Sequence, residues 1–155
     1  MPEREALLRF RSGRSMSGTT TPLFSRREFD FSQVRGDRHV EILLIKAVDV
    51  SQYTSGTLEV RVHSKDISGP GACISILAYT TAPTAEDPSV DFVDWSSPVA
   101  VIVVDHADDD APSLLTTALW PGFGGMLAIV IRGTQAPKPV ARLTAELSAF
   151  LTLKS

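Results

Sequence analysis

An acidic cluster is the densest group of side chains that can do chemistry. It consists of Asp105, Asp108, Asp109 and Asp110, with His106 among them. Carboxylate oxygens in a loop are typical ligands of Ca²⁺, but calcium takes about six to eight oxygens, and this cluster lacks the alternating spacing and the closing glutamate of an EF-hand loop. Aspartate also favours turns. We therefore interpret the cluster as a solvated turn and keep a calcium site on these four aspartates as the alternative.

The histidines and the cysteine do not form the pattern of a nucleophile with its base. A catalytic nucleophile needs a base within hydrogen-bond reach, whereas His39, His63 and His106 lie in unrelated contexts that match no catalytic motif. Cys73, the single cysteine, begins an apolar segment in which a small thiol is typically buried, and it has no second cysteine for a disulfide or a zinc site. The sequence therefore predicts a protein that is not an enzyme and holds no cofactor.

Two tryptophans suggest a different function. Trp95 and Trp120 each end an apolar segment directly before a turn. Flat aromatic faces bind sugar rings in β-sandwich carbohydrate modules, whereas large rings at strand ends also close a hydrophobic core while their N–H stays at its rim. We favour the second interpretation. The alternative function is a carbohydrate-binding module that uses Trp95, Trp120 and a calcium ion in the acidic cluster.

Basic and acidic residues are concentrated in different parts of the chain. Residues 1–40 contain eight arginines, no lysine and five acidic residues, a net charge of +3, whereas the remaining 115 residues carry seven basic and thirteen acidic residues, a net charge of −6. Within the second part, residues 84–110 hold eight acids and no base. Arginine pairs with carboxylates through two parallel hydrogen bonds, so this acidic stretch can accept the basic segment of a neighbouring copy. The candidate partner-binding residues are Arg9, Phe10, Arg11, Arg14, Phe24, Arg26, Arg27, Phe29 and Phe31.

The elements that position these residues are predicted to be strands. From His39 onward, short apolar segments alternate with turn residues at a spacing of about 8–12 residues, which is typical of an antiparallel sandwich. Apolar and polar residues alternate in 57–63 and 142–153, which predicts strands with one buried face. The continuous apolar runs 100–104 and 127–131 predict central strands that are covered on both faces by the other sheet, the basic segment or a partner.

The sequence therefore predicts an all-β chain with two parts. Residues 39–155 form a single antiparallel β-sandwich, jelly-roll-like, of about eight strands, and residues 1–38 form an extended basic N-terminal arm. Residues 12–22 of the arm have no periodicity and are rich in Ser, Gly and Thr, so they are predicted to be disordered on their own. Besides 57–63 and 142–153, strands are predicted at 40–50, 72–81, 90–95, 99–105, 114–120 and 126–132.

Composition excludes several classes of protein. A chain of 155 residues with 43% hydrophobic content fits one domain, and no apolar run approaches the roughly 18 residues of a membrane helix. The first residues lack the apolar stretch of a secretory signal, so we expect synthesis in the cytoplasm and no membrane partner. The net charge of −3 gives no general reason to expect nucleic-acid binding, and +3 over the first 40 residues neutralises few phosphates.

Three runs, at residues 55–64, 75–79 and 122–133, resemble segments of small β-sandwich structural proteins of tailed-phage-like particles. The resemblance extends over residues 39–155. It implies a capsid, decoration, collar or tail component that assembles with neighbouring subunits rather than a catalyst. Together with the basic arm, it predicts a structural subunit that joins a particle as a homo-oligomer.

Overall fold

Eight antiparallel strands form two packed sheets in the computed structural model, which describes residues 18–33, 40–68, 71–81, 93–105, 111–119, 125–135 and 142–155. The first sheet has the strand order β1-β8-β3-β6 and the second the order β2-β7-β4-β5. The all-β sandwich prediction is confirmed. The strands are β1 (Gly18–Asp30), β2 (Val40–Asp49), β3 (Ser55–Ile67), β4 (Cys73–Thr80), β5 (Ala100–Asp105), β6 (Ser113–Ala118), β7 (Met126–Thr134) and β8 (Leu143–Lys154).

The strand pairing is that of a jelly roll. β1 pairs with β8, β2 with β7, β3 with β6 and β4 with β5, so the chain forms one long antiparallel ribbon that is wrapped into two sheets. β3 also pairs with β8, and β4 with β7, which joins the ribbon into four-stranded sheets. The edges β1 and β2 form one flank of the sandwich, and the edges β5 and β6 form the other. The described part of the chain contains no helix that is long and apolar enough to cross a membrane.

The alternating segments bury one face, as predicted. Leu58, Val60 and Val62 of β3 are at most 1% exposed, and the alternate residues of β8 from Leu143 to Leu153 are equally buried. Burying a side chain of this kind contributes about 1.5–3 kcal/mol, so these two strands supply much of the core energy.

The two continuous apolar runs behave differently. In β7, residues 127–131 are all buried, because Leu127, Ile129 and Ile131 face the core while Ala128 and Val130 lie in a second apolar cluster on the outer face. In β5, by contrast, buried and exposed residues alternate. β5 is an edge strand and not the predicted central strand, so its outer side chains have neighbours on one side only.

The largest difference from the sequence prediction lies in residues 18–38. The boundary was placed at residue 39, but β1 (Gly18–Asp30) is a full member of the first sheet and pairs with β8 from Gly18↔Lys154 to Asp30↔Thr144. Part of the stretch predicted to be disordered on its own is therefore ordered by its long partner strand. The sandwich begins by residue 18, and residues 1–17 lie outside the described part.

Candidate interaction surfaces

The predicted aromatic anchors in β1 and directly after it pack inside the sandwich to which they belong. Phe29 and Phe31 are 3% and 2% exposed, and Phe24 packs against the same core. The Phe24 and Phe29 rings meet edge to face at 5.1 Å between centroids, and the Phe29 and Phe31 rings are parallel at 6.5 Å. These three rings fasten an edge strand to its own core, so Phe29 and Phe31 are not exposed to a partner, whereas Phe24 is half-buried.

Gly133 of β7 explains how Phe31 reaches across to the second sheet. A Cβ atom built on this glycine would overlap Cβ and Cγ of Phe31. The ring therefore packs directly against the backbone of β7, and a glycine is required at that position by the closeness of the contact.

The two predicted arginine anchors in β1 are also engaged within the chain. Arg26 lies in the irregular part of β1 with φ = 46°, and its guanidinium contacts Glu146 at 3.2 Å and Nδ1 of His63 at 3.1 Å. The Arg27 guanidinium lies 4.9 Å from the centroid of Phe29. The other predicted anchors, Arg9, Phe10, Arg11 and Arg14, lie outside the described residues.

Ser148 and His63 form a contact that the sequence did not predict. His63 Nε2 lies 2.8 Å from Ser148 Oγ, and the Arg26 backbone N–H donates to the same oxygen at 2.8 Å. Because arginine carries only donors, Nδ1 of His63 accepts from Arg26, and Nε2–H then donates to Ser148. A serine nucleophile needs the opposite arrangement, in which the histidine accepts the hydroxyl proton and a carboxylate orients its other nitrogen. The geometry is that of a structural hydrogen-bond network that holds the irregular part of β1 against β8.

An open groove lies beside this network, between β3 and β6. Its volume is about 430 Å³, and it is lined by Arg61, Val62, His63, Pro112, Ser113 and Leu114. Arg61 is held on one side by Glu59 at 2.8 Å and lies 4.7 Å from the centroid of Phe150. The groove combines basic groups with the exposed Leu114 side chain, so this surface next to β6 is basic and partly apolar.

The structure separates the residues of the alternative carbohydrate site. Trp95 is 49% exposed and lies on Tyr79, with 5.1 Å between the ring centroids. Asp105 pairs with Cys73 at the other end of β4, and the six steps along the strand from Cys73 to Tyr79 span about 20 Å. Trp95 and Asp105 therefore do not line one sugar site. Trp120 and the acidic residues Asp108, Asp109 and Asp110 lie outside the described residues.

Aspartates near the ends of strands have well-defined roles in turns. The pKa of Asp94 is lowered because the hydroxyl and the backbone N–H of Ser96 donate to its carboxylate. The pKa of Asp30 is lowered by the backbone N–H of Ser32, which donates at 2.9 Å. Within the described ranges, no three carboxylate, histidine or cysteine side chains converge in a way that could hold a metal ion.

The two flanks of the sandwich differ in how their edge strands are built. On the first flank, β1 has two register shifts, a proline and three charged residues in sequence at 26–28, and β2 has one register shift and carries Lys46. On the second flank, β5 and β6 pair with their neighbours without any register shift. β6 has no charged residue, and β5 has only Asp105 at its end. Bulges, prolines and charges are the features that protect an edge from pairing with another chain, so the second flank is the unprotected one.

Exposed apolar side chains are present on both flanks, and Ile42 and Leu43 of β2 are 58% and 37% exposed. Val101 and Val103 of β5 are 42% and 43% exposed, and Leu114 of β6 is 58% exposed. Among the described residues, no hydrogen bond joins residues 100–104 to any strand other than β4. The second flank therefore combines a regular, unpaired backbone edge with apolar side chains.

Comparison with known proteins agrees with the fold. No family model matches this chain, and its sequence matches no curated protein. Among solved structures, the VP2 subviral particle of infectious bursal disease virus matches with a TM-score of 0.59 and 10% identity over 98% of this chain. A structure of the Gx strain of the same virus matches with a TM-score of 0.55 and 10% identity over 92%. This chain spans about a third of those two chains, 36% and 32% respectively.

The predicted resemblance to β-sandwich proteins of viral particles is confirmed at the level of the fold. The tailed-phage-like type of particle stays a prediction. Sequence reasoning missed the exposed edge at β5 and the contact of His63 with Ser148. The strand alternation did place both His63 and Ser148 on polar faces, but it carries no information about which strands are neighbours.

Proposed function

We propose that this protein is a non-enzymatic structural subunit of a virus-like or phage-like particle, in a capsid-associated, decoration or tail position, and that copies assemble through the N-terminal segment. The observation that carries the proposal is the complete jelly roll, in which β1 to β8 follow the same fold as a chain of a VP2 subviral particle over 98% of this sequence. At 10% identity this is a likeness of fold, and function is inferred by analogy.

The charge distribution supports assembly through residues 1–17. Residues 6–17 contain three arginines and no acidic residue. They directly precede β1, an edge strand on the protected flank, so this basic segment is attached at the side of the sandwich. Because the rest of the chain is acidic, the segment is attracted to the surface of another copy. The partner is therefore a neighbouring subunit, and the assembly is a homo-oligomer.

A role without catalysis agrees with the Ser148 network. Among the described residues, one histidine contacts a serine, and in that contact the histidine donates its proton to the serine hydroxyl. A serine nucleophile would need a histidine that accepts the hydroxyl proton. The negative net charge also disfavours nucleic acid as the main partner.

The test compares the mass in solution of the full chain with that of a chain that begins at Gly18. Since β1 belongs to the sandwich, the truncation at residue 18 retains every strand, and circular dichroism and thermal unfolding check that the shortened chain is folded. We expect an oligomer or particle for the full chain and a folded monomer for the shortened one. A full chain that stays monomeric at high micromolar concentration, or a shortened chain that assembles equally well, contradicts the proposal.

A further inference from the structure

The unprotected edge of β5 is the feature that the proposed function leaves unexplained. Its outward backbone groups between residues 100 and 104 have no hydrogen-bond partner among the described residues, and Val101 and Val103 stand beside them, each about two-fifths exposed. An edge of this kind is a template for an added strand, in which backbone hydrogen bonds supply affinity and alternate side chains supply specificity.

We infer that residues 7–11 of a second copy of this chain add to β5 as a fifth strand of the sheet β2-β7-β4-β5. This inference rests on the proposed function and names the surface that receives the N-terminal segment. In an extended conformation, residues 8–11 place Leu8 and Phe10 on one face and Arg9 and Arg11 on the other. The apolar pair then packs beside Val101 and Val103.

Charge selects β5 over β6, the other regular edge on the same flank. The surface next to β6 carries Arg61, which repels an arginine-bearing segment and is offset only in part by Glu59. β5, in contrast, lies within residues 84–110, which hold eight acidic residues and no basic one. Arg9 and Arg11 are therefore attracted to the β5 edge and repelled from the β6 edge.

The positions of the flanks favour a second copy over the same chain. β1 and β5 lie on opposite flanks of one sandwich, so copies that pack side by side bring the β1 flank of one against the β5 flank of the next. The six residues between the added strand and β1, residues 12–17, span about 20 Å when extended, which is enough to reach the facing flank of a neighbour that packs directly alongside. Donor and acceptor surfaces differ, so the contact is head-to-tail and forms rings or chains.

The first experiment measures the assembly of full-length variants by light scattering over a range of concentrations. Val101→Lys combined with Val103→Lys places two charges on the β5 edge at exposed positions. We expect at least a tenfold rise in the concentration needed for assembly, and the same effect from Arg9→Glu combined with Arg11→Glu. Thr57→Lys is the matched control, because Thr57 is exposed on β3, an inner strand of the first sheet that lies away from both flanks, and it should assemble like the unmodified chain. Thermal unfolding of each variant checks that the sandwich is intact.

The outcomes separate the inference from the proposed function. If the full chain does not assemble at all, both are overturned. If it assembles and only the arginine variant fails, the proposed function stands and the β5 acceptor is wrong. If Thr57→Lys is as harmful as the β5 variant, the loss is not specific to this edge and the inference is again overturned.

A cross-linking experiment distinguishes a second copy from the same chain. In a Cys73→Ser background, Phe10→Cys and Val103→Cys are introduced into one full-length chain, which is oxidised and separated under non-reducing conditions. We expect a ladder of covalent dimers and higher species, and no ladder when Thr57→Cys replaces Val103→Cys. A disulfide that forms only within single chains shows that the segment folds back on its own sandwich and contradicts the inference.

Discussion

Substitution of Gly133 by alanine tests whether β1 is fixed to the core as the structure shows. The added Cβ overlaps the Phe31 side chain. This side chain is 2% exposed, so it can avoid the overlap only by leaving the core. Overpacking of this kind costs about 1–3 kcal/mol, and removing a glycine from a strand returns about 0.5–1 kcal/mol. The two terms combine to a net loss of up to about 2.5 kcal/mol, and because the added atom overlaps both Cβ and the ring of Phe31 we expect about 2 kcal/mol, which lowers Tm by about 4–8 °C in a chain of this size.

A double-mutant cycle with Phe31→Ala isolates the cause. Phe31→Ala alone should cost about 3–5 kcal/mol, because it empties a buried site. In that background Gly133→Ala meets only Cβ of residue 31 and no ring, so in urea unfolding it should cost clearly less than in the unmodified chain, and the two changes should not be additive. Gly18→Ala is the control within β1, since its nearest atoms would lie at 3.6 Å and 3.7 Å and the change should be tolerated. A neutral Gly133→Ala in the unmodified chain, or strict additivity with Phe31→Ala, refutes the packing of β1 against β7.

Two further predictions concern polar groups. Ser148→Ala removes a hydroxyl oxygen that accepts from two donors, in a residue that is 3% exposed. The free energy of unfolding measured in urea should therefore fall by about 1–3 kcal/mol. Thr152→Ala is the control, because the Thr152 hydroxyl makes an exposed contact, and this substitution should change the free energy of unfolding little. Equal effects of the two substitutions would contradict the network. The carboxyl of Asp30 has its pKa lowered from 3.8 by the backbone N–H of Ser32, so its contribution to stability is present above pH 3.8 and is lost as pH falls through the lower folded value. Asp30→Asn should therefore flatten the decline of stability with acid below about pH 4, and an unchanged slope in pH-dependent unfolding would show that this turn does not contribute.

Much of the sandwich is predictable because alternation records burial directly. The period of two in residues 57–63 and in β8 depends on one buried face, and the structure buries the predicted residues. β1 was not predicted as a strand. Pro22, the bulges and Arg26 at φ = 46° interrupt its alternation, and these are the same features that protect it as an edge.

The position of a strand within its sheet is what the sequence pattern left open. Residues 100–104 and 127–131 are both continuous apolar runs, yet β5 is an edge and β7 is central. Hydrophobic content reports how much surface a strand has to bury, and it does not report whether a strand of the same chain or another molecule covers it. The contact of His63 with Ser148 was missed for a related reason, since it depends on the register of β3 against β8.

The ribbon pairing also has a consequence for the order of events during synthesis. β1 ends at Asp30, but its partner β8 begins at Leu143, so every strand from β2 to β7 leaves the ribosome before β1 can be paired. Contacts between residues so distant in sequence form late and slowly, because the intervening loop must be closed first. The basic segment before β1 is therefore not anchored to a folded subunit until β8 is in place.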